Sequence, residues 1–123
     1  MQRNEAMRKA ADSRGRHAES RAAAVLEAEG WAVLARRVRT PSGELDLVAE
    51  REGLLAFIEV KARATLSDAA FALGQAQRGR LLRAAEAWMA SNPGHGKVGV
   101  RFDVLLEDAK GRVRRIADAF RLE

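Results

Sequence analysis

The chain has 123 residues, 47% hydrophobic and 32% charged, which suits one folded domain with a single core and argues against a disordered chain. It contains no cysteine and only two histidines, so disulfides, thiolate chemistry and histidine-rich metal centres are excluded; any metal would be a hard, oxygen-ligated one. A formal net charge of +5 carried mostly by arginine suits an anionic partner such as nucleic acid, although a solvated arginine-rich surface gives the same balance.

No apolar run reaches the roughly 20 residues needed to span a bilayer. The first twenty-odd residues resemble a transit peptide in their arginine and alanine content, but Glu5, Asp12 and Glu19 speak against one. A cytoplasmic protein is expected. Residues 6–29 read as a helix, with Ala18, Ala22, Val25 and Leu26 as its apolar stripe and Gly30 as the glycine that ends it. Gly15 lies inside this span and either marks a close approach or is the true helix start. Glu19, four residues on, reads from periodicity alone as a surface glutamate pairing with arginines.

Residues 31–38 read as a first strand, with Trp31, Val33 and Ala35 on one side. Pro41, Ser42 and Gly43 form a turn. In the second strand, residues 44–50, Leu45, Leu47 and Ala49 face one way and Glu44, Asp46 and Val48 the other. Glu52-Gly53 is the next turn, and residues 54–62 form a third strand with Phe57, Glu59 and Lys61 on one face and Ile58 and Val60 on the opposite one. A symmetric hairpin centred on Glu52-Gly53 pairs residues whose numbers sum to 105, which sets Asp46 opposite Glu59. A three-residue loop with a bulge would shift that register by one.

A helix follows over residues 75–90, with Leu81, Ala84, Ala85, Trp88 and Met89 as its apolar face; Ser91, Asn92, Pro93 and Gly94 stop it. Gln77 falls at the edge of that face. Arg78, Arg80 and Arg83 form either a phosphate-contacting stripe or ordinary solvated charge. Trp31 and Trp88 fit the core better than a base-stacking role. Val98 to Leu106 alternates as a fourth strand with Arg101 and Asp103 on its other face, and residues 113–120 close the chain as a short strand or extended tail. The helix between strands three and four permits a parallel pairing by a crossover. The expected architecture is α/β, order αβββαββ: one domain over residues 1–123, a mixed central sheet flanked by helices, with residues 1–14 as a mobile N-terminal extension.

Two carboxylates on neighbouring strands repel unless a cation lies between them. Asp46 and Glu59, with the Val60 carbonyl and water, offer oxygen ligands to Mg²⁺ or Mn²⁺. Lys61, on the same face as Glu59, can orient a water or stabilise charge on a phosphate. These are the parts of metal-assisted phosphodiester hydrolysis. Surface ion pairs on a solvated sheet face are the plain alternative.

The run Gly43-Glu44-Leu45-Asp46-Leu47-Val48 with Phe57-Ile58-Glu59-Val60-Lys61-Ala62-Arg63 resembles the PD-(D/E)xK signature of the restriction-endonuclease-like fold. Together with Gly15, Glu19, Gly30-Trp31, Arg101-Phe102-Asp103-Val104 and Ile116-Ala117-Asp118-Ala119-Phe120, it resembles the YraN-like family of uncharacterised bacterial proteins. The arrangement is also similar to archaeal Holliday-junction resolvases, which are dimeric, metal-dependent nucleases. The resemblance implies Asp46 and Glu59 as metal ligands, Glu19 as a fourth acid reaching the metal through water, and Lys61 as the catalytic lysine. It further implies Arg63, Gln77, Arg78 and Arg80 as nucleic-acid contacts, Gln77 standing where many relatives carry lysine. The function expected is a nucleic-acid-binding, Mg²⁺- or Mn²⁺-dependent endonuclease, with DNA favoured over RNA, branched DNA as a candidate substrate and a homodimer by analogy. A non-catalytic nucleic-acid-binding or adaptor protein is the alternative, and a protein–protein interaction module a weaker one.

Overall fold

A computed structural model describes residues 17–62 and 75–120. The expectations for Gly15, for the extension over 1–14, for the helix before residue 17 and for Arg63 lie outside the described residues. Helix α1 covers 17–28; strands β1 (Ala32–Thr40), β2 (Gly43–Arg51) and β3 (Leu54–Ala62) follow, then helix α2 (Gln75–Ser91), β4 (Gly99–Glu107) and β5 (Val113–Phe120). This is the expected order αβββαββ. The five strands form one sheet in the order β1-β2-β3-β4-β5, with β3 and β4 parallel and every other neighbour antiparallel.

Each helix covers one face. Ala22, Ala23 and Leu26 of α1 pack with Trp31 on Leu47, Ala49, Ala56, Ile58 and Leu105. Leu81, Ala84, Ala85 and Trp88 of α2 pack on Leu45, Val48, Leu55, Phe57 and Phe102. Alanines at the contact let both helix backbones approach the sheet closely. Phe57 meets Trp88 edge-on at 5.9 Å and stacks on Phe102 at 5.5 Å, so both α2-face aromatics lock onto the central strand. In α1, Ala23 rather than Val25 completes the buried stripe: Ala23 is fully buried and Val25 only half-buried.

The ends of α1 and of the β2–β3 hairpin follow from glycine chemistry. Gly30 has φ 92; its N–H donates to the Glu27 carbonyl at 3.0 Å, and the Trp31 N–H donates to the Leu26 carbonyl at 3.0 Å. These are the paired bonds of a Schellman cap, with Leu26 and Trp31 supplying the apolar contact across it. At the hairpin, Glu52 and Gly53 have φ 53 and 83, as a type I′ turn requires. Two loop residues fix the register, and the observed pairs run from Arg51↔Leu54 to Leu47↔Ile58, all summing to 105. The predicted register therefore holds up to the residues flanking Asp46 and Glu59.

Two face assignments change. The β1–β2 register shifts between Val33 and Ala35, so Val33 joins the α1-side core while Ala35 joins the α2 side. One extra residue in a strand reverses every later side chain. Leu45 lies on the α2 side with Val48, not with Leu47 and Ala49. The regular alternation of β2 is broken at Asp46, opposite the segment where Arg37 of β1 adopts φ 50 between the pairs Arg36↔Leu47 and Val38↔Leu45.

The deeply buried Asp103 carboxylate is paired. Asp103, 1% exposed, receives two bonds of 2.9 Å from Arg101. The Arg51, Arg101 and Arg115 guanidiniums surround the Trp31 ring at 4.9, 5.5 and 5.9 Å from its centre. Both tryptophans are buried, as expected of core residues. No helix among the described residues is long and apolar enough to cross a membrane.

Candidate functional site

The pairing of β2 with β3 runs as far as Leu47↔Ile58, and beyond it the Asp46 side chain takes over: its Oδ2 accepts the Val60 N–H at 2.8 Å. The carboxylate thus occupies the position of a missing ladder partner. Within a strand the N–H and C=O of one residue point to the same side, as their joint exchange with a single partner requires. The Val60 carbonyl therefore faces the same gap. Glu59 lies next to it, with its carboxyl group in hydrogen-bonding reach of that of Asp46. The two acids converge; they are not splayed to opposite faces.

Two further groups meet Glu59. Lys61 Nζ stands 3.1 Å from Glu59 Oε1, and Gln77 Nε2 of α2 donates to the same oxygen at 3.0 Å. Both charged side chains are largely sheltered, Lys61 at 12% and Glu59 at 10% exposure. Beneath Glu59 lies a mostly apolar pocket lined by Leu45, Phe57, Leu81 and Phe102. Burial is accordingly the main influence on both acids. It raises the Asp46 pKa against the opposing pull of the Val60 N–H. Burial, followed by the Asp46 charge, pushes Glu59 up to about 7, with Lys61 acting in the other direction. Near neutral pH the pair holds a proton that ordinary carboxyl groups would have lost.

That donor set fits Mg²⁺ or Mn²⁺. Such ions take oxygen ligands, keep several waters and need only one or two protein carboxylates. Among the described residues no three histidine, cysteine, aspartate or glutamate side chains converge as a ready cage. Glu19 is not grouped with the pair: it is mostly buried, 13% exposed, and its Oε1 lies 3.5 Å from Arg37 Nε. The same Arg37 Nε is 3.7 Å from Glu44 Oε1, and Arg39 approaches the other oxygen of Glu44 at 3.8 Å. Arg37 keeps a left-handed backbone that costs a non-glycine residue about 1–2 kcal/mol. Partly exposed ion pairs are each worth about 0.2–1 kcal/mol, so the two at Arg37 are of the same order as that cost.

Of the other predicted residues, Arg78 and Arg80 are exposed on α2. The turn between β1 and β2 abuts this helix, since a Cβ placed on Gly43 would stand 3.5 Å from the Arg80 Cβ. Gln77 is turned to Glu59, a partner not foreseen from its place at the edge of the apolar face. Arg37 was missed altogether. Its position opposite Asp46 was computable from the Pro41-Ser42 turn, but its conformation was not.

A family model described as "Uncharacterised protein family UPF0102" matches residues 18–106. A UPF0102 protein of Granulibacter bethesdensis is 57% identical to this chain over 109 residues, 89% of this chain and 69% of that protein. One of a Bradyrhizobium species is 48% identical over 113 residues, covering 92% and 80% respectively. Another, of Nitrobacter winogradskyi, is 49% identical over 114 residues, covering 93% and 97%.

Proposed function

The chain belongs to the uncharacterised protein family UPF0102, and we propose that it is a nucleic-acid-binding, Mg²⁺- or Mn²⁺-dependent endonuclease that hydrolyses phosphodiester bonds, with branched DNA as its substrate. One observation carries the proposal: carboxylates from two strands converge where their pairing ends, with a lysine against one of them. A solvated sheet face has no reason to bury two acids together, because burying a charge without a counter-charge is costly. The excess of cationic residues suits the polyanion that such a centre would act on.

Asp46, Glu59 and the Val60 carbonyl would hold the cation. Once bound, a divalent ion supplies positive charge against the phosphate and makes water more acidic. The chain's own groups do the rest. The Val60 N–H fixes the Asp46 carboxylate in the gap between the strands. Gln77 fixes Glu59 from α2. Lys61, now paired with Glu59, would turn its ammonium to the charge that grows on the phosphate as the bond breaks. Arg78 and Arg80, on the exposed side of α2, would contact flanking phosphates.

Incubation of the purified protein with linear, flapped and four-way DNA in Mn²⁺ tests the proposal. Cleavage that disappears in Asp46→Asn supports it. Salt-sensitive binding without cleavage of any substrate would favour the non-catalytic adaptor, and salt-insensitive or absent binding would leave a protein–protein module.

A further inference from the structure

Arg37 is a strand residue in a left-handed backbone conformation. It lies within β1, between the pairs Arg36↔Leu47 and Val38↔Leu45, so it stands across from Asp46. Its φ of 50 belongs to the left-handed region. Among the described residues the other such non-glycine, Glu52, sits in a two-residue turn that demands a positive φ; Arg37 sits in no turn. Asparagine would tolerate the same backbone more easily. What arginine adds is a positive charge. That charge lies 3.5 Å from Glu19 of α1 and 3.7 Å from Glu44 of β2, and Glu44 in turn stands within electrostatic reach of Asp46. Strained backbone of this kind tends to gather at functional sites.

Resting on the nuclease reading above, we infer that Arg37 is a built-in counter-cation beside the acid pair, which holds Glu19 and Glu44 in the metal-free protein and opposes the divalent ion electrostatically. Arg37 meets Glu19 and Glu44, Arg39 meets Glu44, Glu44 acts on Asp46, and Lys61 pairs with Glu59. A divalent ion arriving at Asp46 and Glu59 meets the repulsion of Arg37 and relieves the need for it. Arg37 thus sets the metal affinity without being a ligand. It is a positioning residue: it keeps α1 tied to the β1–β2 hairpin beside the site while the cation is absent.

The test is calorimetric titration of the full chain with Mn²⁺, comparing wild type with Arg37→Asn, Arg37→Lys and Arg39→Asn. Arg37→Asn removes the charge and suits the left-handed backbone. Its Mn²⁺ dissociation constant is expected to fall severalfold, the order of effect that Coulomb's law gives for removing one unit charge from the neighbourhood of a divalent ion in water. Arg37→Lys keeps the charge and should bind Mn²⁺ as wild type does. Arg39, 87% exposed and also beside Glu44, should matter less than twofold, since bulk water and salt screen it. Mn²⁺ affinity in Arg37→Asn that is unchanged or weaker overturns the inference while leaving the metal site standing. Absence of Mn²⁺ binding in every protein, wild type included, overturns the inference together with the metal-dependent reading on which it rests.

Discussion

Replacing Glu59 by glutamine removes one ionisable group from the acid pair while keeping its shape and an acceptor oxygen for Lys61 and Gln77. Burial, and then the Asp46 charge, push the Glu59 pKa from 4.5 up to about 7. A raised carboxyl pKa means that the folded protein holds the proton more tightly than the unfolded chain does. The stabilisation is therefore fully present below the unfolded value and is lost as pH rises through about 7. At about 1.4 kcal/mol per pH unit, the whole loss comes to about 3 kcal/mol. That corresponds to roughly 10 °C in Tm for a domain of this size. The Asp46 pKa is raised too, so its contribution has the same sign. In metal-free buffer, urea unfolding should show Glu59→Gln and wild type within about 1 kcal/mol of each other at pH 5, with Glu59→Gln ahead by up to about 3 kcal/mol at pH 8. A stability difference that is the same at both pH values would refute the reasoning, because the acid pair would then not be sharing a buried environment.

Two further changes probe the frame around the pair. Gln77→Ala deletes the bond from α2 to Glu59 and should cost about 1 kcal/mol of stability. It should also slow any Mn²⁺-dependent cleavage, and unchanged urea midpoints and rates would mean that the bond is idle. Gly30→Ala forces a side chain into the left-handed end of α1, where φ is 92, and should lower stability by about 1–2 kcal/mol without altering Mn²⁺ affinity. Calorimetric unfolding and a metal titration together check that separation.

Much of this geometry was legible in the chain because short-range chemistry dictated it. Glu52-Gly53 could form a two-residue loop, and once it did, the pairing from Arg51↔Leu54 to Leu47↔Ile58 followed without further information. Gly30 announced the end of α1, and the helix between β3 and β4 announced their parallel pairing. What could not be read was where strands depart from alternation. The register shift after Val33, and the break at Asp46 that sends Leu45 to the α2 side, each depend on backbone conformations with no signature in residue type. An arginine at φ 50 is the extreme case, since nothing in its identity asks for that conformation. Long-range partners were equally silent. Gln77 reaches Glu59 and Arg37 reaches Glu19 only because α2 and α1 dock on opposite faces of the sheet, which no local pattern specifies.

The most direct test of the central claim is single-turnover cleavage of a four-way DNA junction in Mn²⁺ by wild type and by Lys61→Met, with Mn²⁺ affinity measured on both. The account predicts cleavage by wild type and a rate at least about a hundredfold lower in Lys61→Met, as expected for loss of a group that stabilises transition-state charge. It predicts Mn²⁺ affinity no weaker in the variant, because Lys61 is a cation beside the ligands and not one of them. Equal rates in the two proteins, or cleavage by neither, would contradict it.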